Sequence, residues 1–261
     1  MKVTIDTLHN TLRHLQKDVK FNKIFCIGSH KTGTTTLNHI MHGLGFNCAP
    51  QAKLERDCTL EVTRGNYLPL IHYIKQFDFF QDSPFAHAHT YIAIDALFPG
   101  SKFIYTYRDP NKWYQSNLNF VANWCKAQPS ELCKKHYESY GYISKDYMVK
   151  KTEYYEISQV NETSLACTPN WDLLFNKEKY IKNYIYRRNE ILRHFQNRPE
   201  DLLVIDITAE ATICKITDFI GFPSHIDFPT PILNSCNAAD KKDIEITNKL
   251  LERMVRDHLN H

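Results

Sequence analysis

Residues 28–36, with the sequence Gly-Ser-His-Lys-Thr-Gly-Thr-Thr-Thr, have the residue types and spacing of an anion-binding loop. They follow a short apolar run and precede a helical pattern, so the backbone N–H groups of residues 32–36 are expected to point into a concavity at the start of a helix. The positive end of the helix dipole favours an anion there. The threonine hydroxyls add donors, and Lys31 adds a mobile positive charge. We call residues 28–36 the loop seat and predict that it binds a phosphate-like group.

The order of residues in the loop seat differs from that of a nucleoside-triphosphate P-loop, in which lysine follows the second glycine. Gly28 and Gly33 have the required spacing, but Thr34 occupies the lysine position and Lys31 lies two residues before Gly33. This order disfavours a kinase or NTPase without removing the capacity to bind an anion. A plainer interpretation also stays open, in which the loop is a threonine-capped turn and Lys31 points into solvent.

A second anion seat is predicted from Arg108 and Ser116. Arg108 follows a β-branched and aromatic run at 101–107, and Ser116 lies eight residues later, about two turns along the next helix. Both can therefore face one crevice, where the planar guanidinium can bind phosphate through two hydrogen bonds. Taken alone, Arg108 is equally suited to a structural ion pair. Asp109 followed by Pro110 is typical of a helix N-cap, so Asp109 is assigned to capping rather than to catalysis.

These side chains require a scaffold in which strands alternate with helices. The patterns predict strands near 23–28, 101–107 and 202–207, and helices near 1–21, 34–43, 66–76, 86–97, 177–196, 211–221 and 238–261. They indicate an α/β class and a three-layer, P-loop-like fold with a central parallel sheet flanked by helices. Ligands in such folds bind at the carboxyl ends of the strands. Residues 1–261 are predicted to form a single domain.

The composition excludes several classes of protein. A formal net charge of +3 is too small to predict nucleic acid as the main partner. The apolar runs are shorter than the roughly 20 residues that cross a bilayer, and the N-terminus does not read as a signal peptide, so we expect no membrane association and a cytoplasmic location. The eight cysteines include no C-x-x-C pair, which favours free thiols and disfavours a zinc site. No metal is predicted.

The loop seat and the second anion seat together resemble the superfamily of PAPS-dependent sulfotransferases, where PAPS is 3′-phosphoadenosine 5′-phosphosulfate. The resemblance lies in HKTGTTTL (residues 30–37) and FPGSKFIYTYRDPNKWYQS (residues 98–116), and it is strongest for a branch of small protist, worm and bacterial enzymes. It covers residues 22–46 and 78–120 well and residues 201–235 more loosely. It implies a sulfotransferase that uses PAPS as donor, releases 3′,5′-diphosphoadenosine (PAP) and needs no metal.

The resemblance also implies roles for particular residues. The 5′-phosphosulfate would be bound by Lys31, Thr32, Gly33, Thr34, Thr35 and Thr36, and the 3′-phosphate by Arg108 and Ser116. Lys31 would also neutralise the leaving phosphate, which makes it a catalytic residue. A loop around Asn234 is expected to line the donor site by a looser analogy.

The resemblance also implies a general base for an alcohol acceptor, a His, Glu or Asp at the end of the strand that precedes Arg108, and Asp82 in the segment FFQDSPF is the residue predicted for this role. Asp82 would need a pKa raised by burial, because an ordinary aspartate near 3.9 is a weak base. A role as helix cap for the segment starting near Pro84 is the alternative for Asp82. His87 and His89 are alternative bases.

The acceptor is expected to be a small hydroxylated molecule bound by a helical insertion at about 121–176, which is rich in tyrosine and lysine. The lysine pairs there, Lys134–Lys135 and Lys150–Lys151, are equally consistent with solvated helix faces. Two other functions remain open: a P-loop kinase or NTPase, and a catalytically silent protein that binds PAPS or PAP. A homodimer also remains open, since the sequence does not determine whether the chain dimerises.

Overall fold

The computed structural model describes residues 21–139, 146–160, 166–208 and 212–221. The helices predicted near the two termini and the loop predicted around Asn234 lie outside these ranges. In the described part, the strands are β1 (Ile24–Cys26), β2 (Phe79–Phe80), β3 (Lys102–Thr106), β4 (Ser158–Val160), β5 (Cys167–Pro169) and β6 (Leu202–Ile205). The helices are α1 (Thr34–Gly43), α2 (Gln51–Thr63), α3 (Leu68–Ile74), α4 (Thr90–Leu97), α5 (Pro110–Cys125), α6 (Lys134–Ser139), α7 (Tyr147–Tyr155), α8 (Lys177–His194) and α9 (Thr212–Phe219).

Four of the strands form a parallel sheet in the order β2-β1-β3-β6. Successive residues of a strand point to opposite faces, and a parallel sheet must be covered on both. In β1, Ile24 and Cys26 pack into one hydrophobic cluster with α1 and α9, while Phe25 packs into a second with α2, α3, α4 and α8. The predicted α/β fold, with a central parallel sheet flanked by helices, is therefore confirmed.

Most predicted elements are present, with four omissions and one wrong boundary. The sequence analysis missed α2, and it missed β2 because two residues are too few to show strand periodicity. It also predicted no strands in the helical insertion, where β4 and β5 lie. The helix predicted for 86–97 begins only at Thr90. Asp82 and Ala88 have φ angles of 63° and 38°, so the segment before Thr90 forms turns rather than helix.

Two glycines bring the loop seat close to neighbouring strand ends. A Cβ atom at residue 28 would lie 2.0 Å from Oγ1 of Thr106, the last residue of β3. Gly33 has a φ angle of 91°, and a Cβ atom there would lie 2.0 Å from Cγ2 of Ile207, which follows β6. Glycine is required at both positions because the backbone approaches these side chains too closely for any other residue.

The described residues of 126–139, 146–160 and 166–176 form no part of the parallel sheet. They contribute α6, α7 and an antiparallel pair formed by β4 and β5. Aromatic side chains of α5, α6 and α8 form a third hydrophobic cluster, which includes Trp113, Tyr137 and Tyr184. The hydroxyl of Tyr147 donates a 2.6 Å hydrogen bond to Oε1 of Glu55, which attaches α7 to α2. None of the helices in the described ranges combines the length and apolar character that a membrane span requires.

Candidate functional site

A cavity of about 450 Å³ opens at the carboxyl ends of β1, β3 and β6. Its walls come from the loop seat, the turn after β2, and helices α5, α7 and α8. Every residue predicted for the two anion seats lines this cavity: Lys31, Thr32, Gly33, Thr34, Thr35, Thr36, Arg108 and Ser116. Asp82 and His87 line it as well. The two seats therefore face one crevice.

The loop seat presents the start of α1 to the cavity. Gly33 is the N-cap residue and supplies no side-chain cap, so the N–H groups of the first turn open towards the cavity. The hydroxyl of Thr32 donates to the carbonyl of Ser29 at 2.6 Å and lies 2.7 Å from Oγ1 of Thr106. The hydroxyl of Thr34 is directed at Oδ2 of Asp82, at 3.5 Å. These two hydroxyls therefore hold the loop in shape.

Lys31 reaches from the loop seat to α5. Its Nζ lies 4.2 Å from the ring centroid of Phe120, a cation–π contact. The backbone at Lys31 has a φ angle of 66°, in the left-handed region. The predicted catalytic cation is therefore part of the cavity wall rather than a solvated side chain.

The second seat is held by backbone contacts around Arg108. The hydroxyl of Tyr184 accepts from the N–H of Arg108 at 3.0 Å and donates to its carbonyl at 3.1 Å. Within the described ranges, the Arg108 guanidinium makes no hydrogen bond or ion pair, which contradicts the alternative of a structural ion pair in that part of the chain. Trp113 stacks on Tyr184 at 4.2 Å and donates to the carbonyl of His30 at 2.9 Å. These contacts fasten the two seats to each other.

Asp109 caps α5, as predicted. Its Oδ1 accepts from the N–H groups of Asn111 and Lys112 at 3.1 Å and 3.0 Å. Asp109 does not line the cavity, and its carboxylate is engaged by the backbone of α5.

Asp82 contacts the loop seat rather than capping a helix. Its Oδ1 is in close contact with Nδ1 of His30, while its Oδ2 faces Thr34. The segment after Pro84 forms turns, so the alternative of a helix cap is wrong.

The two other candidate bases, His87 and His89, differ in burial and in position relative to the cavity. His87 is buried and lines the cavity, whereas His89 is exposed, pairs with Glu190 at 3.3 Å and lies outside the cavity wall.

The pKa of Asp82 is lowered, so the expectation of a raised pKa is wrong. Burial acts to raise the pKa of this carboxyl, but the nearby His30, Lys151 and Lys31 stabilise its charged form more strongly. The pKa of His87 is lowered well below its ordinary value by burial, and further by His30, Lys151 and Arg187. Asp82 is therefore an ionised carboxylate at neutral pH, and His87 is a neutral imidazole.

Three residues that line the cavity were not predicted as site residues. His30 lies within the loop seat, yet only the fold brings Asp82 and His87 to it. Lys151 is 7% exposed and pairs with Glu156 at 3.7 Å, whereas its neighbour Lys150 is exposed. The spacing of Tyr147, Lys151 and Tyr155 would have placed all three on one face of a helix. The third, Arg187, donates to the carbonyls of Ile27 and Phe85 at 2.8 Å and 3.2 Å.

The tyrosine-rich region contributes less to the cavity than predicted. Tyr155 lines it, but Tyr137 and Tyr147 are buried in the packing of α6 and α7, and Tyr154 is 53% exposed. Away from the two anion seats, the cavity is therefore lined by α7 and the turn after β2 rather than by a tyrosine cluster. Among the described residues, no group of three or more His, Cys, Asp and Glu side chains is arranged to hold a metal ion.

Comparison with known proteins adds one match. A family model described as a sulfotransferase domain matches residues 23–238, which include both anion seats, Asp82 and α7. No curated protein matches the chain significantly.

Proposed function

Since the chain belongs to the sulfotransferase domain family, we propose that it transfers a sulfuryl group from PAPS to a hydroxyl group of a small-molecule acceptor. The observation that carries this proposal is the meeting of two anion seats in one cavity of about 450 Å³. A nucleoside triphosphate needs one continuous series of phosphate contacts, whereas two seats on separate strand ends suit a nucleotide with phosphate groups at two positions.

The residues of the two seats fit such a donor. The start of α1 and Lys31 would hold the 5′-phosphosulfate, and Arg108 with Ser116 would hold the 3′-phosphate. The guanidinium of Arg108 has no carboxylate partner in the described part of the chain, which supports an anionic ligand at that seat. When bound, the donor supplies a sulfuryl group attached to a phosphate that departs.

Lys31 would stabilise the charge that develops on the departing phosphate oxygen as the sulfur–oxygen bond breaks. Its contact with Phe120 keeps the ammonium group at the cavity rather than in solvent. The N–H groups at the start of α1 would assist it, because their positions are set by the helix and need no rearrangement during the reaction.

The general base would be built around Asp82, whose contact with Thr34 brings it to the edge of the loop seat. A base within reach of the acceptor hydroxyl contributes typically about 10²- to 10⁴-fold to the rate. The acceptor would lie against the turn after β2 and against α7, where His87, Met148 and Tyr155 offer aromatic and apolar surface. We thus propose that the region at about 121–176 acts as the acceptor-binding insertion of a single domain.

Two measurements test the proposal. The purified chain is incubated with radiolabelled PAPS and a panel of hydroxylated metabolites, and we expect labelled sulfate to appear on at least one of them. In parallel, calorimetry compares the binding of PAP with that of ATP and magnesium. Binding of neither PAPS nor PAP would overturn the proposal. Magnesium-dependent ATP turnover would favour a P-loop kinase or NTPase, and PAP binding without transfer to any acceptor would favour the silent binding protein.

We also propose a cytoplasmic location. The seven cysteines in the described ranges are free, and Cys133 and Cys167 are exposed. Exposed thiols persist in reducing compartments. Detection of the chain in a secreted or vesicular fraction of its cell would contradict this location.

A further inference from the structure

Four polar side chains meet between the loop seat and the turn after β2. Nδ1 of His30 contacts the carboxylate of Asp82, and Nε2 of His30 lies 3.2 Å from Nε2 of His87. The hydroxyl of Ser83 bridges the two rings, at 3.1 Å from His30 Nε2 and 2.8 Å from His87 Nε2. We call Asp82, His30, Ser83 and His87 the histidine chain.

The hydrogen-bond partners determine where protons can reside in this chain. With His30 neutral, its Nδ1–H donates to Asp82, and its Nε2 accepts from the Nε2–H of His87 or from Ser83. With His30 protonated, both of its N–H groups still have acceptors, provided that His87 carries its own proton on Nδ1. The histidine chain can therefore accept one proton on His30 with a possible acceptor opposite each of its ring nitrogens.

The two histidines differ in their capacity to keep a proton. His87 is buried and stacked on Tyr155 at 4.3 Å, with the cations Lys151 and Arg187 acting on it from α7 and α8. His30 has a carboxylate in contact with its ring, so a positive charge there is compensated. Lys31 and Lys151 also act on that carboxylate. His87 is suited to passing a proton on, and His30 is suited to holding it.

His87 also has a nitrogen available for the acceptor. Its Nδ1 makes no hydrogen bond to any residue that the structure describes, and the ring lines the cavity. This ring stands on the side of the cavity formed by Tyr155, where the acceptor is proposed to bind. A hydroxyl there can donate to His87 Nδ1 while His87 Nε2–H faces His30.

We propose that His87 takes the proton from the acceptor hydroxyl at Nδ1 and passes its Nε2 proton to His30, where Asp82 stabilises the resulting imidazolium. This inference rests on the proposed sulfuryl transfer. The acceptor O–H bond breaks as its oxygen bonds to sulfur, and the bond from sulfur to the phosphate oxygen breaks with its electron pair remaining on PAP. His87 ends as the other neutral tautomer, and His30 gains one positive charge. His87 is then a catalytic residue, while His30 and Asp82 act through it.

A titration of the histidine rings followed by NMR tests the histidine chain without requiring that the protein turn over a substrate. In the wild-type protein, the His87 ring is expected to stay neutral as the pH falls from 8 to 5, because burial and the cations around it lower its pKa. A His87 ring that becomes charged in this range would overturn the inference. Wild-type protein that fails to bind PAP would overturn the proposed function, while the titration would still test the histidine chain.

Kinetics of two matched variants provide the second test, with 4-nitrophenol and an aliphatic alcohol as probe acceptors. His87→Gln and His30→Gln are each expected to lower kcat for the alcohol by about 10²- to 10⁴-fold. His87→Gln should leave PAP affinity unchanged, because His87 belongs to neither anion seat. The double variant should be no slower than either single variant, because the residues act as one unit. The loss should be smaller for 4-nitrophenol, an acidic acceptor that needs less help from a base. Equal losses for both acceptors, or an unchanged kcat in His87→Gln, would overturn the relay.

Discussion

The two sides of the cavity are built in different ways. The proposed donor side consists of the loop seat with Arg108 and Ser116, and its residues occupy short stretches after β1 and β3. The proposed acceptor side consists of the turn after β2 with α7, and its residues meet only through contacts such as that between Tyr147 and Glu55. The first side follows from local backbone geometry, and the second depends on how distant segments pack. Changes on the donor side should therefore affect nucleotide chemistry, whereas changes on the acceptor side should affect the acceptor alone.

The largest effect on the donor side is expected from Lys31→Ala. Removal of a charge-stabilising group typically lowers kcat by about 10²- to 10³-fold. Lys112→Ala, an exposed lysine on α5 outside the cavity, is the matched control and should retain full activity. Transfer from PAPS measured at saturating acceptor distinguishes the two variants. Equal activity of both would remove Lys31 from the mechanism.

Arg108→Ala should weaken the binding of PAP by roughly 10- to 100-fold, since a hydrogen bond to a charged group contributes about 1.5–3 kcal/mol. Binding of 5′-AMP, which lacks the 3′-phosphate, should change much less. Calorimetry with both nucleotides measures this difference. If both lose affinity equally, Arg108 does not contact the 3′-phosphate.

Gly28→Ala tests whether close packing positions the loop seat. The added Cβ would meet Oγ1 of Thr106 at 2.0 Å, so we expect a loss of about 1–3 kcal/mol in the free energy of unfolding. Gly65→Ala is a control for glycine replacement at a position where a Cβ meets nothing within 4 Å, although its φ angle of 78° carries a backbone cost of its own. Urea denaturation compares them. A smaller loss at Gly28 than at Gly65 would argue against the packing contact.

Lys151→Met tests the acceptor side. We expect a change within about tenfold in the KM of the acceptor and no change in PAP affinity, because Lys151 lies on α7, which contributes no residue to either anion seat. Lys150→Met, at the exposed neighbour, is the control. A loss of PAP affinity in Lys151→Met would break the division between the two sides.

The smallest effect concerns acid stability. The pKa of Asp82 is lowered in the folded chain, because its cationic neighbours outweigh the effect of burial. Its ionised form therefore stabilises the fold above the unfolded pKa near 3.9, and this contribution is lost as the pH falls through the folded value. The stability difference between wild type and Asp82→Asn should accordingly shrink between pH 6 and pH 3 in urea titrations. A difference that grows towards acid pH would contradict the lowered pKa.

The sequence was most informative where one short segment determines its own geometry. The glycines of the loop seat, the cap at Asp109 and the strand before Arg108 could all be predicted, because backbone conformation and capping depend on neighbours in the chain. The same analysis placed a helix from residue 86, where the backbone turns until Thr90. It also gave Lys150 and Lys151 the same interpretation, although Lys150 is exposed and Lys151 is buried.

The sequence by itself determined the alternation of strands and helices, the residues of both anion seats and the family resemblance. Only the tertiary structure decided that both seats open into one cavity, that Asp82 stays ionised, and that His30 and His87 stand 3.2 Å apart. The physical reason is that a pKa and a proton path depend on burial and on charges from segments distant in the chain. Those segments meet only when the sheet and α7 have packed.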